Sequence, residues 1–362
     1  MNDRAGVDHR RAAASRVETA QLIGRHPSVI QLGELVRRVA ASKARNVLIY
    51  GETGTGKGVV AKMLHQLSAR ADRAFVDVNC AAIPANLLES ELFGHERGAF
   101  TGAISAKTGL IEVANGGTLF LDEVREMDMT LQAKLLTLLD TQRFRRLGAT
   151  KPIAVDVRFI ASTNKILFNE VRNGRFRADL YYRLQVVGIN LPALRERGDD
   201  VLVLTDSFLE TLNARHGSAV TGLEPDVREV FRSYSWPGNV RELENLLERI
   251  TILEDDQAIR LRHLPPRILR ETEIGRRFLA SQGGEPAQTV PDLPEPATEQ
   301  PGSAERGFHA ATRGFQQRLI AAALARADGR LGRAARELGL SRHALRHQMA
   351  KLGMQVDERK GR

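Results

Sequence analysis

A chain of 362 residues, 42% apolar and 27% charged, is long enough for two or three separately cored domains and has the balance of a globular protein. Its single cysteine, Cys80, excludes an intramolecular disulfide, its N-terminal stretch lacks the apolar centre of a signal peptide, and no apolar run reaches the ~20 residues that cross a bilayer. The net charge of +9 is localised: residues 306–362 carry 13 Lys+Arg against 4 Asp+Glu, and the remainder balances at 40 against 40, so the C-terminal end is suited to hold a polyanion. A soluble, cytoplasmic protein is the expectation.

In chain order, residues 1–21 form a short extension before Leu22-Ile23-Gly24-Arg25. Short apolar runs then recur at Val47–Tyr50, Phe75–Val78, Thr118–Leu121, Val157–Ile160 and Val186–Ile189, separated by helical patterns, which predicts an α/β domain with a parallel sheet over residues 22–198. From 199 to 270 the strand signals stop and helical spacing takes over, as in Val240, Leu243, Leu247 and Ile250, predicting a small helical lid. Residues 271–305 read as a flexible linker, because five of the thirteen prolines fall between Pro286 and Pro301. In the basic region, residues 306–362, a helix over Phe315–Ala325 precedes two more, Arg330–Leu338 and Ser341–Leu352, joined by the turn Gly339-Leu340-Ser341. Leu331, Ala335, Leu338, Leu340, Leu345, Met349 and Leu352 are spaced for a shared small core, and Ser341 suits an N-cap. Arg342 and Arg346 then lie one turn apart on the last helix, with His343 and His347 beside them, where base edges and phosphates would be met. A plain three-helix packing domain with a basic surface is the alternative there.

The segment Gly51-Glu52-Thr53-Gly54-Thr55-Gly56-Lys57-Gly58 lies between an apolar strand and the periodic run Val59, Val60, Met63, Leu64, Leu67. Strand, glycine-rich loop and helix in that order make a phosphate cradle: backbone N–H groups wrap the phosphates and Lys57 reaches the β/γ oxygens, which points to ATP. The hydroxyl residue that ordinarily follows the lysine and ligates Mg²⁺ is replaced by Gly58. About 65 residues further on, the buried-type strand Thr118–Leu121 runs into Asp122-Glu123, a Walker B arrangement in which Asp122 would hold Mg²⁺ and Glu123 would orient the attacking water.

Between these elements stands Gly98-Ala99-Phe100-Thr101-Gly102-Ala103, two glycines flanking an aromatic and a hydroxyl residue, as a mobile contact loop would have them. This GAFTGA segment closely resembles the signature loop of sigma-54-dependent activators, the bacterial enhancer-binding proteins, which are AAA+ ATPases. The resemblance covers about residues 22–270 and continues through Leu191-Pro192-Ala193-Leu194-Arg195-Glu196-Arg197 and Trp236-Pro237-Gly238-Asn239-Val240-Arg241-Glu242-Leu243. It implies that Asn79 is a switch residue restraining Glu123, that Thr163 and Asn164 are sensor I, and that Arg241 is sensor II. Arg177 and Arg183 would be arginine fingers entering the ATP site of a neighbouring subunit in a hexameric ring; for Arg177 the alternative is local pairing with Asp179. The basic end resembles a Fis-type helix-turn-helix. The activity implied is a transcription activator, bound to double-stranded enhancer DNA, that hydrolyses ATP to remodel sigma-54 RNA polymerase into the open complex. Two departures stand out. Gly58 replaces the family's usual glutamate, which implies weaker or slower nucleotide use, and the 21 residues before the module are too few for a receiver or ligand-sensing domain, which implies control by a separate protein. Two competing readings are a DNA-binding regulator whose AAA+ module only assembles or senses nucleotide, and another AAA+ machine such as a helicase loader.

Overall fold

The computed structural model of the protein describes residues 20–281 apart from residue 255, together with the isolated helical positions 320, 324 and 349. The chain divides into two compact units, Met1–Gly284 and Glu285–Arg362. The linker from 282 to 305, the expected helix-turn-helix and its residues Arg342, His343, Arg346 and His347 lie outside the described residues.

The first unit opens with α1 (Pro27–Ala41), whose start is fixed by Pro27 at the first helical position and by the His26 side chain accepting from the Ser28 N–H. Then follow β1 (Asn46–Tyr50), α2 (Lys57–Gln66), β2 (Phe75–Asn79), α3 (Ala85–Phe93), the single turn α4 (Leu110–Val113), β3 (Thr118–Asp122) and α5 (Met129–Thr141). A two-residue antiparallel ladder, β4 (Arg143–Phe144) with β5 (Ile153–Ala154), leads to β6 (Arg158–Thr163), α6 (Leu167–Arg172), α7 (Ala178–Leu184) and β7 (Val187–Asn190). Strands β2, β3, β6, β1 and β7 lie side by side in that order, all parallel. The α/β expectation is met, with each predicted strand present and its ends shifted by at most three residues.

Alternation along the strands feeds two cores. Leu48, Leu119, Leu121, Phe159 and Ala161 face α3, α5 and α7, whereas Val47, Ile49, Phe120, Ile160 and Ile189 face α1 and α2. Strands covered on both faces must be apolar almost throughout, and β6 is buried at all six positions. Its one charge, Arg158, donates to the carbonyls of Val39 (2.8 Å) and Ala40 (3.2 Å), satisfying the C-terminal end of α1. This topology brings the C-terminal ends of β1, β2, β3 and β6 to one edge of the sheet, where α/β folds bind ligands.

The lid comprises α8 (Asp200–His216), α9 (Pro225–Ser233), α10 (Asn239–Leu253), α11 (Pro266–Glu271) and α12 (Glu273–Ser281). Trp236 anchors its core, with its indole N–H on the Phe231 carbonyl at 2.8 Å and its ring edge-on to Phe231 and Tyr234. Two details differ from the sequence expectation. A short parallel pair, β8 (Gly222–Leu223) with β9 (Ala258–Ile259), ties the lid's long loops together. The helical packing also continues past residue 270: Ile274, Phe278 and Leu279 of α12 pack on the lid core, so residues 271–281 belong to the lid rather than to the linker.

Candidate active site

The P-loop links β1 to α2 through two left-handed glycines, Gly54 (φ 80°) and Gly56 (φ 99°). At Gly54 the requirement is steric as well, because a Cβ there would stand 2.1 Å from the Gly238 carbonyl oxygen of the lid. The Lys57 ammonium is buried in the loop's own bowl, donating to the carbonyls of Gly51 (3.0 Å) and Glu52 (3.4 Å) and lying 3.4 Å from Glu123 Oε1. The Thr55 hydroxyl closes the loop onto the Glu52 carbonyl at 2.8 Å. Gly58, on the first turn of α2, borders the cleft, and a Cβ there would meet only Phe120, at 4.0 Å.

Asp122, ending β3, accepts a hydrogen bond from the Ser162 hydroxyl. Glu123 follows in a left-handed backbone (φ 53°), a conformation that costs a non-glycine residue and points to a functional constraint. Its carboxylate is gripped from two sides, by Lys57 and by the Asn164 backbone N–H (3.1 Å). Asn79 is aligned with Asp122 across β2 and β3 but does not touch Glu123; its Oδ1 accepts from the N–H groups of Ala81 (2.9 Å) and Ala82 (3.2 Å). Asn164 reaches Thr53 Oγ1 through Nδ2 at 3.2 Å, and its Oδ1 is buried without a partner among the described residues. Thr163, by contrast, is fully buried and turns its hydroxyl to the Lys165 backbone rather than into the cleft. Arg241, on α10, lines the cleft, and its guanidinium pairs with no other described residue.

Lys57, Gly58, Asn79, Asp122, Glu123, Asn164 and Arg241 thus surround one cleft of about 680 Å³. Its far end is apolar, formed by Leu22, Ile23, Leu204, Phe208 and Val240, a shape suited to a planar base. Sequence reading missed Asp77, which shares the cleft and whose carboxyl is raised by burial and by the negative charge of Asp122. It also missed Arg197 and Asp200, a buried ion pair (3.2 Å) that secures the segment before α1: Asp200 Oδ1 accepts from the N–H groups of Arg25 and His26, and Arg197 donates to the Ile23 carbonyl. The sequence offers little signal for this pair. Asp200 directly precedes the apolar run Val201-Leu202-Val203-Leu204, a position that suits an exposed acidic residue at a helix start just as well.

Arg177 and Arg183 lie outside this cleft. Arg177 forms a two-pronged pair with Asp179 (3.0 and 2.8 Å), and Arg183 pairs with Asp140 at 2.8 Å. The Gly98–Ala103 loop takes no part in this cleft. Gly98 (φ 81°) and Gly102 (φ 107°) are both left-handed, the Gly98 N–H donates to Ala103 O (2.8 Å), and Ala103 N–H donates to Phe100 O (3.0 Å). Phe100 is 43% exposed with its ring against His95, and Thr101 is exposed. The loop's base is held by Arg146, which grips Glu112 with two bonds of 2.8 Å and Glu96 with one of 3.1 Å.

Comparison with known proteins agrees with this geometry. Residues 22–190 match the Sigma-54 interaction domain, residues 195–278 the AAA+ ATPase lid domain, and residues 313–352 the bacterial regulatory protein, Fis family. The regulatory protein AtoC of Escherichia coli is 38% identical over 343 residues, which is 95% of this chain and 70% of AtoC. The chain belongs to the sigma-54-dependent activators. Nitrogen fixation protein AnfA of Azotobacter vinelandii is 41% identical over 343 residues, and regulatory protein LuxO of Vibrio cholerae is 50% identical over 227. The chain spans 59% and 50% of the length of those two relatives. Among solved structures, NtrX from Brucella abortus in complex with ATP superposes with a TM-score of 0.64 at 33% identity, over 93% of this chain and 70% of that one. As in other sigma-54-dependent activators, the central module here is an AAA+ ATPase, followed by its lid and a Fis-type domain. No helix among the described residues is long and apolar enough to cross a membrane.

Proposed function

We propose that this chain assembles into a hexameric ring, hydrolyses ATP at the cleft beneath Arg241, and uses Phe100 and Thr101 to remodel sigma-54 RNA polymerase into the open complex. The observation that carries the reading is a division of labour. Lys57, Asp122, Glu123, Asn164 and Arg241 converge on one cleft, while Arg177 and Arg183 lie outside it, paired with Asp179 and Asp140, from where they would reach a neighbouring molecule's nucleotide. NtrX, a structural relative, has been seen in complex with ATP and with ADP, which supports nucleotide as the ligand.

Lys57 would leave Glu123 for the β/γ oxygens, freeing the carboxylate to orient water in line with the terminal phosphate. Asn79, aligned with Asp122, would then take over as the restraint on Glu123, and Asn164 would report the γ-phosphate to the loop behind it. Arg241 would contact that phosphate from the lid, and Arg177 and Arg183 would supply positive charge in trans, a device worth ~10³ to 10⁵ in rate. The carboxylate of Asp122 is the hard oxygen ligand Mg²⁺ requires, with phosphate oxygens and water completing the set; the ion would neutralise phosphate charge there. The Fis-type region, with Arg342, His343, Arg346 and His347, would hold double-stranded enhancer DNA in the cytoplasm, and a separate regulatory protein would supply the input signal.

An ATP-dependent open-complex assay with sigma-54 polymerase tests this reading. Wild-type protein should form open complexes, and Glu123→Ala and Thr101→Ala should not; open complexes that survive either substitution overturn it. The second reading, a DNA-binding regulator whose AAA+ module only assembles or senses nucleotide, is favoured by one observation, the glycine at position 58. It predicts nucleotide binding without turnover in the wild type.

A further inference from the structure

Not every residue of the P-loop serves the phosphates. Glu52, expected among the nucleotide-binding residues, turns its side chain away from the cleft and toward the lid. Its carboxylate accepts two hydrogen bonds from Arg195, at 2.8 and 2.5 Å, and a third from Nδ2 of Asn239 at 3.1 Å. The Arg195 guanidinium, helped by Asn239, holds this carboxyl below its ordinary range. Asn239 is the first residue of α10 and is fully buried. Its Nδ2 also donates to the Thr53 carbonyl (3.0 Å), and its Oδ1 accepts from the Leu194 N–H (2.8 Å). One side chain therefore joins the P-loop, the turn that leads into the lid, and the lid helix itself. Two residues further along α10, the Arg241 backbone N–H lies 3.3 Å from the Gly54 carbonyl.

We infer that Asn239, braced by the Glu52–Arg195 pair, is a positioning residue that fixes the first turn of α10 on the P-loop and so aims Arg241 at the terminal phosphate. The inference rests on the reading of Arg241 given above. A helix-capping asparagine would spend its side-chain oxygen on its own helix, but this one bonds to Leu194 instead. The residue also adopts a left-handed backbone (φ 51°), a conformation that persists where several bonds over-determine it, as three do here. Because the Arg241 guanidinium has no partner of its own among the described residues, the reach of the side chain depends on where the backbone places its Cα, and the Arg241 N–H bond to Gly54 fixes that on the P-loop.

The test compares equilibrium binding of ADP and of a non-hydrolysable ATP analogue, read by calorimetry, in wild-type protein, Asn239→Gly, Glu52→Gln, Arg241→Ala and the double variant Asn239→Gly/Arg241→Ala. Glycine tolerates the left-handed backbone and removes the side chain that makes the three bonds. Asn239→Gly should lose about tenfold of the preference for the triphosphate, as expected when a hydrogen bond to a charged group is misaligned. Arg241→Ala should lose a similar amount, and the double variant no more than either single change, since both act through one contact. Glu52→Gln, at a side chain 43% exposed, should shift the preference in the same direction by less, and it carries the test should Asn239→Gly fail to fold. An unchanged preference, or losses that add in the double variant, would sink the positioning role alone. Wild-type protein that binds neither nucleotide would sink the ATPase reading and the positioning role with it.

Discussion

At position 58 the chain carries hydrogen where its family usually carries a carboxylate, and the structure shows what that leaves behind. Gly58 occupies the first turn of α2, where glycine costs up to ~1 kcal/mol relative to better helix formers. The neighbouring space accepts a side chain, with Phe120 at ordinary contact distance. Two substitutions separate the helix from the chemistry. Gly58→Ala should raise the thermal midpoint and leave the ATPase rate near that of the wild type, whereas Gly58→Glu should raise the rate at saturating ATP. A rate that fails to rise in Gly58→Glu would show that the glycine does not limit turnover.

Among the elements, α12 shows how a short helix escapes sequence reading. Its apolar positions, Ile274, Phe278 and Leu279, occupy barely two turns and surround Gly275, a residue that argues against a helix when only local propensity is weighed. Tertiary contact decides otherwise: Gly275 is pressed against the end of α11, where a Cβ would lie 2.3 Å from the Leu269 carbonyl oxygen. Gly275→Ala should therefore pry the two helices apart and destabilise the lid by about 1–3 kcal/mol in urea unfolding. A neutral result would mean that α12 is not packed as described. The strands of the five-stranded sheet posed no such difficulty, since their short apolar runs and the glycine-rich loop between them are local signals. The two-residue pair of β8 and β9 was illegible for the opposite reason, because it is made by partners 36 residues apart and has no pattern of its own.

Across the whole first unit, the site residues that could be read were those whose chemistry is written in a contiguous motif: the P-loop, Asp122-Glu123 and the Gly98–Ala103 loop. What could not be read were the bonds that orient them. The Lys57–Glu123 pair, the Glu52–Arg195 clamp and the anchoring of the Ile23–His26 segment by Arg197 and Asp200 each join residues far apart in the chain. The last of these makes the base end of the cleft depend on a buried charge. Asp200→Ala would strand Arg197 in the interior at a cost of about 3–5 kcal/mol, visible in urea unfolding, and should weaken nucleotide affinity with it. Stability and affinity that both stay at wild-type values would refute that dependence. The Gly98–Ala103 loop carries a different kind of consequence. Because the N–H of Gly98 is bonded to the carbonyl of Ala103, the tip is closed on itself before any encounter. A partner would therefore meet a preformed hook, and a stroke delivered at its stem would be passed on as displacement of Phe100 instead of being absorbed by slack in the backbone.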